Sequence, residues 1–221
     1  MRRTLGDLTD EEYAAQRDLT TALRDLARAA GTTGADAATI ADAVEVVNDL
    51  TDRLAVGGHQ RVTRATFDEP ALWARKGESV PMNHLNPAHP RFDMHFEGDF
   101  ARAAETGDIV GLVATADLVV GALYEGPPHA VHGGTAAFLL DCITGVLVQS
   151  SGVAAVTGEL TTRYVRRTPL DEPISMRAEV TGRRGRLITV EGTISHHGEV
   201  CVQGKALFVA IERPMAPPPD A

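Results

Sequence analysis

The stretch Gly126–Asp141, GPPHAVHGGTAAFLLD, decides the fold of this chain because a glycine-rich corner there turns into an apolar helix. Gly133 and Gly134 permit backbone angles that are closed to other residues, and Thr135–Val148 carries apolar residues at helical spacing. The stretch therefore predicts a buried helix that begins at or just after the two glycines. The first N–H groups of such a helix lack intrahelical acceptors and can stabilise an oxyanion or a carbonyl oxygen.

An acidic residue, Asp141, lies in this helix, and its neighbours one turn away are mostly small or apolar: Ala137, Phe138, Thr144 and Gly145. An ionised carboxylate there needs hydrogen bonds or water, and such a site favours a general base or a nucleophile. The alternative is an exposed aspartate on the solvent side of the helix. At about 1.5 Å rise per residue, Asp141 lies roughly 10 Å along the axis from Gly134. Either the two residues do separate jobs, or a second subunit completes the site.

The rest of the chain divides into four segments by composition. We predict an N-terminal helical hairpin over 1–56, an irregular connector over 57–108, a main domain over 109–213 and a flexible tail over 214–221. A capping box at Thr9–Glu12 opens the first helix. In the main domain, one apolar helix is combined with strands that are predicted at 111–120, 154–166, 174–181, 186–196 and 200–211. Because helix and strands do not alternate, the fold class is α+β.

Composition and charge exclude several classes of function. The chain has 221 residues, 43% of them hydrophobic, and a formal net charge of −9, which argues against binding nucleic acid or anionic membrane by general attraction. We expect neither a signal peptide nor a transmembrane helix. The two cysteines, Cys142 and Cys201, lie in apolar elements, which favours a reducing cytoplasm.

Two runs of sequence resemble a known family, the hotdog-fold thioesterases of the PaaI type. The first run is EGPPHAVHGG, Glu125–Gly134, with Leu140-Asp141 following, and the second is TGELTTRYVRRTPL, Thr157–Leu170. The resemblance covers about residues 109–211. It implies a long central helix wrapped by an antiparallel sheet, and two subunits that join their sheets edge to edge. It also implies active sites that lie across the dimer interface.

The same resemblance implies roles for individual residues. The backbone N–H of Gly133 in one subunit would polarise a thioester carbonyl, and Asp141 of the other subunit would activate water or attack directly. Thr157 would position the water or the carboxylate, and His132 would orient the site, with Gly134 beside it in contact with substrate. Many relatives carry Asn or Gln six residues before the histidine. This chain has Gly126 there, which makes the preceding Glu125 a candidate for binding substrate.

The arginine clusters and the histidine pair each allow a functional and a purely structural interpretation. Arginines 163, 166 and 167 could bind the phosphates of coenzyme A, and a solvated surface is the alternative for them and for arginines 183, 184 and 186. His196-His197 precedes a glycine in a polar turn, and no further ligands occur at a recognisable spacing. We therefore interpret the two histidines as a hairpin tip and predict neither metal nor cofactor.

The leading prediction is hydrolysis of an acyl-CoA or related acyl thioester by a cytoplasmic homodimer or dimer of dimers. Asp141 would activate the water or attack, and the start of the central helix would hold the oxyanion. A non-catalytic protein that binds or senses acyl thioesters is one alternative, and a hydratase or dehydratase on the same fold is another, because a fold alone does not decide between them.

Overall fold

A computed structural model describes residues 9–56, 80–82, 84 and 86–211 of the chain. The chain divides into two compact units, Met1–Ala65 and Thr66–Ala221. The first part of the predicted connector, at 57–79, and the predicted tail at 214–221 lie outside the described residues.

The described residues of the first unit form two helices, as predicted. Helix α1 spans Asp10–Thr32 and begins at a complete capping box: the backbone N–H of Glu12 donates to the Thr9 hydroxyl, and the Glu12 carboxylate accepts from the Thr9 N–H. Reciprocal capping of this kind satisfies two N–H groups that the helix itself cannot pair.

Helix α2 spans Ala37–Ala55 and is capped by Asp36, whose Oδ1 accepts from the backbone N–H of Thr39 at 2.8 Å. This hydrogen bond lowers the pKa of the Asp36 carboxyl because it favours the charged form. None of the residues of α2 is buried, and its large apolar side chains stand exposed: Ile40, Val44, Val46, Val47 and Leu54.

The second unit is built on one antiparallel sheet. The described strands are β1 Val80–Met82, β2 Phe92–Glu97, β3 Val113–Val119, β4 Ala155–Tyr164, β5 Pro173–Arg184, β6 Leu187–His196 and β7 Glu199–Ala210. They lie in the order β1-β2-β3-β5-β6-β7-β4. A short helix, α3 (Phe100–Thr106), follows β2, and a long helix, α4 (Gly133–Ser150), follows β3 and packs on the sheet. The α+β hotdog fold and the strands predicted from 111 onward are thereby confirmed.

The core lies between α4 and the sheet. Strands β5 and β6 alternate buried and exposed residues, so one face of the sheet is apolar. Helix α4 covers that face with four side chains that are fully buried: Leu139, Leu140, Ile143 and Leu147. Each contributes about 1.5–3 kcal/mol of transfer free energy. By length and composition α4 could also span a membrane, but its packing is that of the core helix of this unit.

Two glycines let α4 approach the sheet closely. Gly192 of β6 and Gly204 of β7 lie directly opposite each other, and a Cβ on them would come within 3.1 and 3.0 Å of the Leu140 side chain. Leu140 therefore sits in the space that two missing side chains leave. This contact sets how near the helix lies to the sheet at the residue before Asp141.

The prediction of an irregular connector over 57–108 is wrong for its second half. Strand β2 extends the sheet beside β3 and buries Phe92 and Met94, and α3 is capped by Asp99 and ends at Gly107 with φ 72°. Prolines and polar residues dominate the composition of this part of the chain. Among these residues, the alternation of apolar and polar side chains over Phe92–Glu97 is only six residues long, which is too short to indicate a strand. Within the described residues, the sheet therefore begins at residue 80, before the first strand that the sequence predicted, at 111–120.

Candidate active site

The turn that leads into α4 is closed by its own backbone. The N–H of Gly126 donates to the Ala130 carbonyl at 2.9 Å, and the Glu125 carboxylate accepts from the His129 N–H at 2.7 Å. A Cβ at Gly126 would lie 2.7 Å from the Cα of His132, so the backbone here leaves no room for a side chain. The Asn or Gln that the family resemblance leads one to expect at this position would therefore not fit this backbone. Glu125 already has a backbone partner, and its contact with substrate stays a prediction.

His132 is the N-cap of α4 and fixes the first turn. Its Nδ1 accepts from the Gly134 N–H at 3.0 Å, so in the neutral ring the proton is on Nε2. A Cβ on Gly134 would lie 3.0 Å from that Nδ1, and the glycine thus makes room for the ring. The N–H of Gly133 donates to no acceptor within the described residues. Of the two amides that the glycines supply, the one at Gly133 is therefore available to a ligand.

A tyrosine completes this corner. Tyr164, the last residue of β4, donates its hydroxyl to the Gly133 carbonyl at 2.8 Å. Its ring also lies 3.3 Å from where a Cβ of Gly133 would be. Tyr164 was not among the predicted site residues. We call His132, Gly133, Gly134 and Tyr164 the helix-start cluster.

The second group of site residues is the Asp141 pair, which consists of Asp141 and Thr157. The Thr157 hydroxyl donates to Asp141 Oδ1 at 3.0 Å, and Asp141 is half-buried. Thr157 lies in β4 at a register shift between Thr157 and Glu159, the kind of irregularity that re-aims a side chain. The carboxylate is thus half-buried and hydrogen-bonded. The alternative of an exposed aspartate on the solvent side of the helix is therefore wrong.

An aromatic contact lies one turn before Asp141. The rings of His89 and Phe138 are stacked with centroids 4.0 Å apart. His89 belongs to the segment that precedes β2, so this part of the chain covers α4 next to the Asp141 pair. Sequence reasoning did not identify His89, because its position depends on a loop without periodicity.

The predicted arginines separate into two groups. Arg166 forms an ion pair with Glu199, and both side chains are more than half exposed, so the pair contributes little to stability. Arg163 and Arg167 are exposed and have no ion-pair partner in the described part of the chain. Arg183 and Arg186 donate to backbone carbonyls, those of Gly107 and Ala210. Only Arg163 and Arg167 therefore keep free guanidinium groups on or beside β4.

The helix-start cluster and the Asp141 pair occupy different turns of α4. Within the described chain, no hydrogen bond joins one group to the other. One group offers an unpaired N–H to a carbonyl or oxyanion, and the other offers a positioned carboxylate. A donor for a carbonyl oxygen and a carboxylate are the groups that attack on a carbonyl carbon requires. In one copy of the chain, however, these two groups lie two turns apart on α4.

Comparison with known proteins identifies relatives. Residues 129–202 match the family model described as thioesterase superfamily. Acyl-coenzyme A thioesterase THEM4 of Mus musculus is 32% identical over 101 residues, which cover 44% of this chain and 44% of the mouse protein. This chain thus aligns with less than half the length of that relative. The crystal structure of a thioesterase superfamily protein is similar at a TM-score of 0.72 and 27% identity, over 88% of this chain and 94% of that one.

Proposed function

Because residues 129–202 of this chain belong to the thioesterase superfamily, we propose that the protein hydrolyses an acyl-CoA or a related acyl thioester to the free acid and the thiol. The observation that carries the proposal is the hydrogen bond from Thr157 to the half-buried Asp141. It holds a carboxylate two turns along helix α4, and the first amide of that helix, at Gly133, donates to no acceptor within the described residues. The hydroxyl donor fixes the direction of the carboxylate, and a general base must be positioned within reach of the proton that it takes.

In the proposed reaction, the Gly133 N–H donates to the thioester carbonyl oxygen and stabilises the oxyanion that forms. Asp141 takes a proton from a water whose oxygen attacks the carbonyl carbon. When the tetrahedral intermediate collapses, the C–S bond breaks, and the departing sulfur takes the proton from Asp141 and leaves as the thiol, which restores the carboxylate. Direct attack by the Asp141 carboxylate is the alternative route. It would form an acyl anhydride that water then hydrolyses.

A second copy of the chain brings the two groups together in this proposal. Among the strands that the structure describes, β4 is an edge of the sheet and is ten residues long. An unpaired strand edge is a template for another strand. Both groups use this strand: Tyr164 reaches the helix-start cluster from β4, and Thr157 reaches Asp141 from it. Pairing of two β4 edges about a two-fold axis would let Gly133 of one copy face Asp141 of the other.

The arginines on and beside β4 favour a CoA thioester as the substrate, because CoA carries phosphate groups. Arg163 and Arg167 offer free guanidinium groups, which bind phosphate bidentately, on a chain whose formal net charge is −9. The name of the mouse relative, an acyl-coenzyme A thioesterase, agrees with this substrate class. The stacked His89 and Phe138 rings lie where they could contact an acyl group bound beside Asp141.

The test is release of free thiol from a panel of short, long and aromatic acyl-CoAs by the wild type and by Asp141→Asn. We expect wild-type turnover, and a fall in kcat of about 10²–10⁴-fold in the variant, the range for loss of a general base. Binding of acyl-CoA, measured by calorimetry, should persist in the variant. If the wild type binds members of the panel but releases no thiol, the protein is an acyl-thioester binder and the proposal fails.

A further inference from the structure

Two histidines and a glutamate meet at one end of the sheet. His196 ends β6, His197 follows it in the turn to β7, and Glu172 directly precedes β5. Sequence analysis interpreted the histidine pair as a hairpin tip because no third ligand stood at a familiar spacing. The structure supplies one, since β5 and β6 pair in antiparallel register and bring Glu172 beside the turn.

The three side chains converge on one point. Their ligand atoms all lie within 4.8 Å of one another, and the two histidine rings have centroids 4.0 Å apart. Successive residues of a strand point to opposite faces, so this arrangement needs a break in the strand. His197 provides it with a φ of 47°, in the left-handed region that few non-glycine residues adopt.

The hydrogen bonds of His196 decide which of its nitrogens faces the cluster. Nδ1 lies 3.0 Å from the Pro173 carbonyl, and because a carbonyl only accepts, Nδ1 must carry the proton. In the neutral ring Nε2 then holds a lone pair, and it lies 3.0 Å from Glu172 Oε2. Two acceptors at this distance repel each other unless a cation lies between them. That cation is either a second proton on His196 or a metal ion.

From this geometry we propose that Glu172, His196 and His197 bind a divalent transition metal of the zinc class, with water completing the coordination. A histidine that ligates metal through one nitrogen usually donates the other N–H to a carbonyl or carboxylate, as His196 does to Pro173. Ligand atoms around a tetrahedral zinc lie about 3.3–3.6 Å apart, which small rotations of the exposed Glu172 and His197 can reach. Glu199, the next carboxylate along the turn, is paired with Arg166 and stays outside the site.

The bound metal would tie the turn between β6 and β7 to the start of β5. Its function would be structural, because two of the three ligands, Glu172 and His197, are exposed and none of the three belongs to the helix-start cluster or to the Asp141 pair. This proposal does not depend on thioesterase activity.

The test is calorimetric titration of Zn²⁺ into untagged, chelator-treated protein at pH 7.5, with the melting temperature followed in parallel. We expect one equivalent of zinc per chain and a rise in melting temperature, because a ligand that binds only the folded state stabilises it. Glu172→Gln and His197→Gln should each weaken binding by at least about tenfold, the smallest effect typical of losing even an outer partner of a metal site. Both residues are exposed, so both variants should fold.

The matched control is His95→Gln, which removes another exposed histidine, on β2. Its zinc affinity should equal that of the wild type. The proposal is overturned if the wild type takes up no zinc, in which case a proton is the cation between His196 and Glu172. It is also overturned if Glu172→Gln and His197→Gln bind zinc as tightly as the wild type does.

Discussion

At the scale of single residues, the amide of Gly133 can be tested with little disturbance to the fold. Gly133 is the first residue of α4, the helix position at which proline is best tolerated because its missing N–H has no intrahelical partner. His132 before it has φ −58° and ψ 134°, which a residue preceding proline adopts readily. Gly133→Pro therefore removes the proposed oxyanion donor and leaves the helix in place.

We expect Gly133→Pro to lower kcat for thioester hydrolysis by about 10²–10³-fold, as loss of one oxyanion donor does. Gly133→Ala is the matched control, since it adds a Cβ at the same 3.3 Å from the exposed Tyr164 ring but keeps the N–H. Steady-state kinetics on both variants give the comparison. Equal losses in the two would mean that crowding of Tyr164, rather than the missing donor, lowers the rate.

Tyr164 acts in this scheme as a positioning residue for that amide. Its hydroxyl holds the Gly133 carbonyl at 2.8 Å, and a displacement of about 1 Å at a site can cost up to roughly 10²-fold in rate. We expect Tyr164→Phe to lower kcat about tenfold with little change in KM or in melting temperature, since the ring is 53% exposed. A variant that loses stability but keeps kcat would assign the hydroxyl a structural role alone.

Which site residues could be predicted from the sequence depends on how far apart they lie along the chain. Gly133 and Asp141 stand within one short motif, so the helical period relates them, whereas the role of His132 in that motif came only from the family resemblance. Thr157 was identified only through the family resemblance. Tyr164 was not found at all, because its bond to Gly133 joins residues 31 apart and depends on how β4 lies against α4, which no local pattern encodes.

At the scale of elements, the contact of α4 with the sheet can be altered at one glycine. A Cβ on Gly204 would lie 3.0 Å from Leu140, which is fully buried and has no free space to move into. We expect Gly204→Ala to lower the free energy of unfolding by about 1–3 kcal/mol, the usual effect of overpacking a core. Denaturant unfolding measures it.

The matched control is Gly182→Ala in β5, where a Cβ would have nothing within 4 Å. It should be neutral or stabilise by about 0.4–1 kcal/mol, because alanine reduces the conformational freedom of the unfolded chain. If Gly204→Ala is equally neutral, the helix shifts without cost, and Leu140 does not set its distance from the sheet.

Long strands with regular alternation were predicted from the sequence, and the short strand β2 was not. Strands β5, β6 and β7 have ten to twelve residues and regular alternation, so they were predicted nearly to their ends. Strand β2 has six residues, and it exists because β3 offers it a partner. Its stability comes from tertiary pairing and the burial of Phe92 and Met94 rather than from local preference.

At the scale of the whole molecule, the proposal makes each active site the joint product of two copies. A dimer of Gly133→Pro copies alone lacks the donor at both sites, and a dimer of Asp141→Asn copies alone lacks the carboxylate at both. In a mixed dimer with two-fold symmetry, one site combines the intact Gly133 with the intact Asp141, and the other site combines the two defects.

Co-folding equal amounts of Gly133→Pro and Asp141→Asn should therefore restore activity. Random pairing makes half of the dimers mixed, and each mixed dimer has one intact site of two, so the mixture should reach about one quarter of the wild-type rate. Thiol release after joint refolding measures this, with the separately refolded variants as the baseline. If Gly133 and Asp141 of the same copy formed the site, every chain would carry one defect, and the mixture would stay at the baseline. Restored activity thus requires that the two groups come from different subunits, because no arrangement within one copy can produce it.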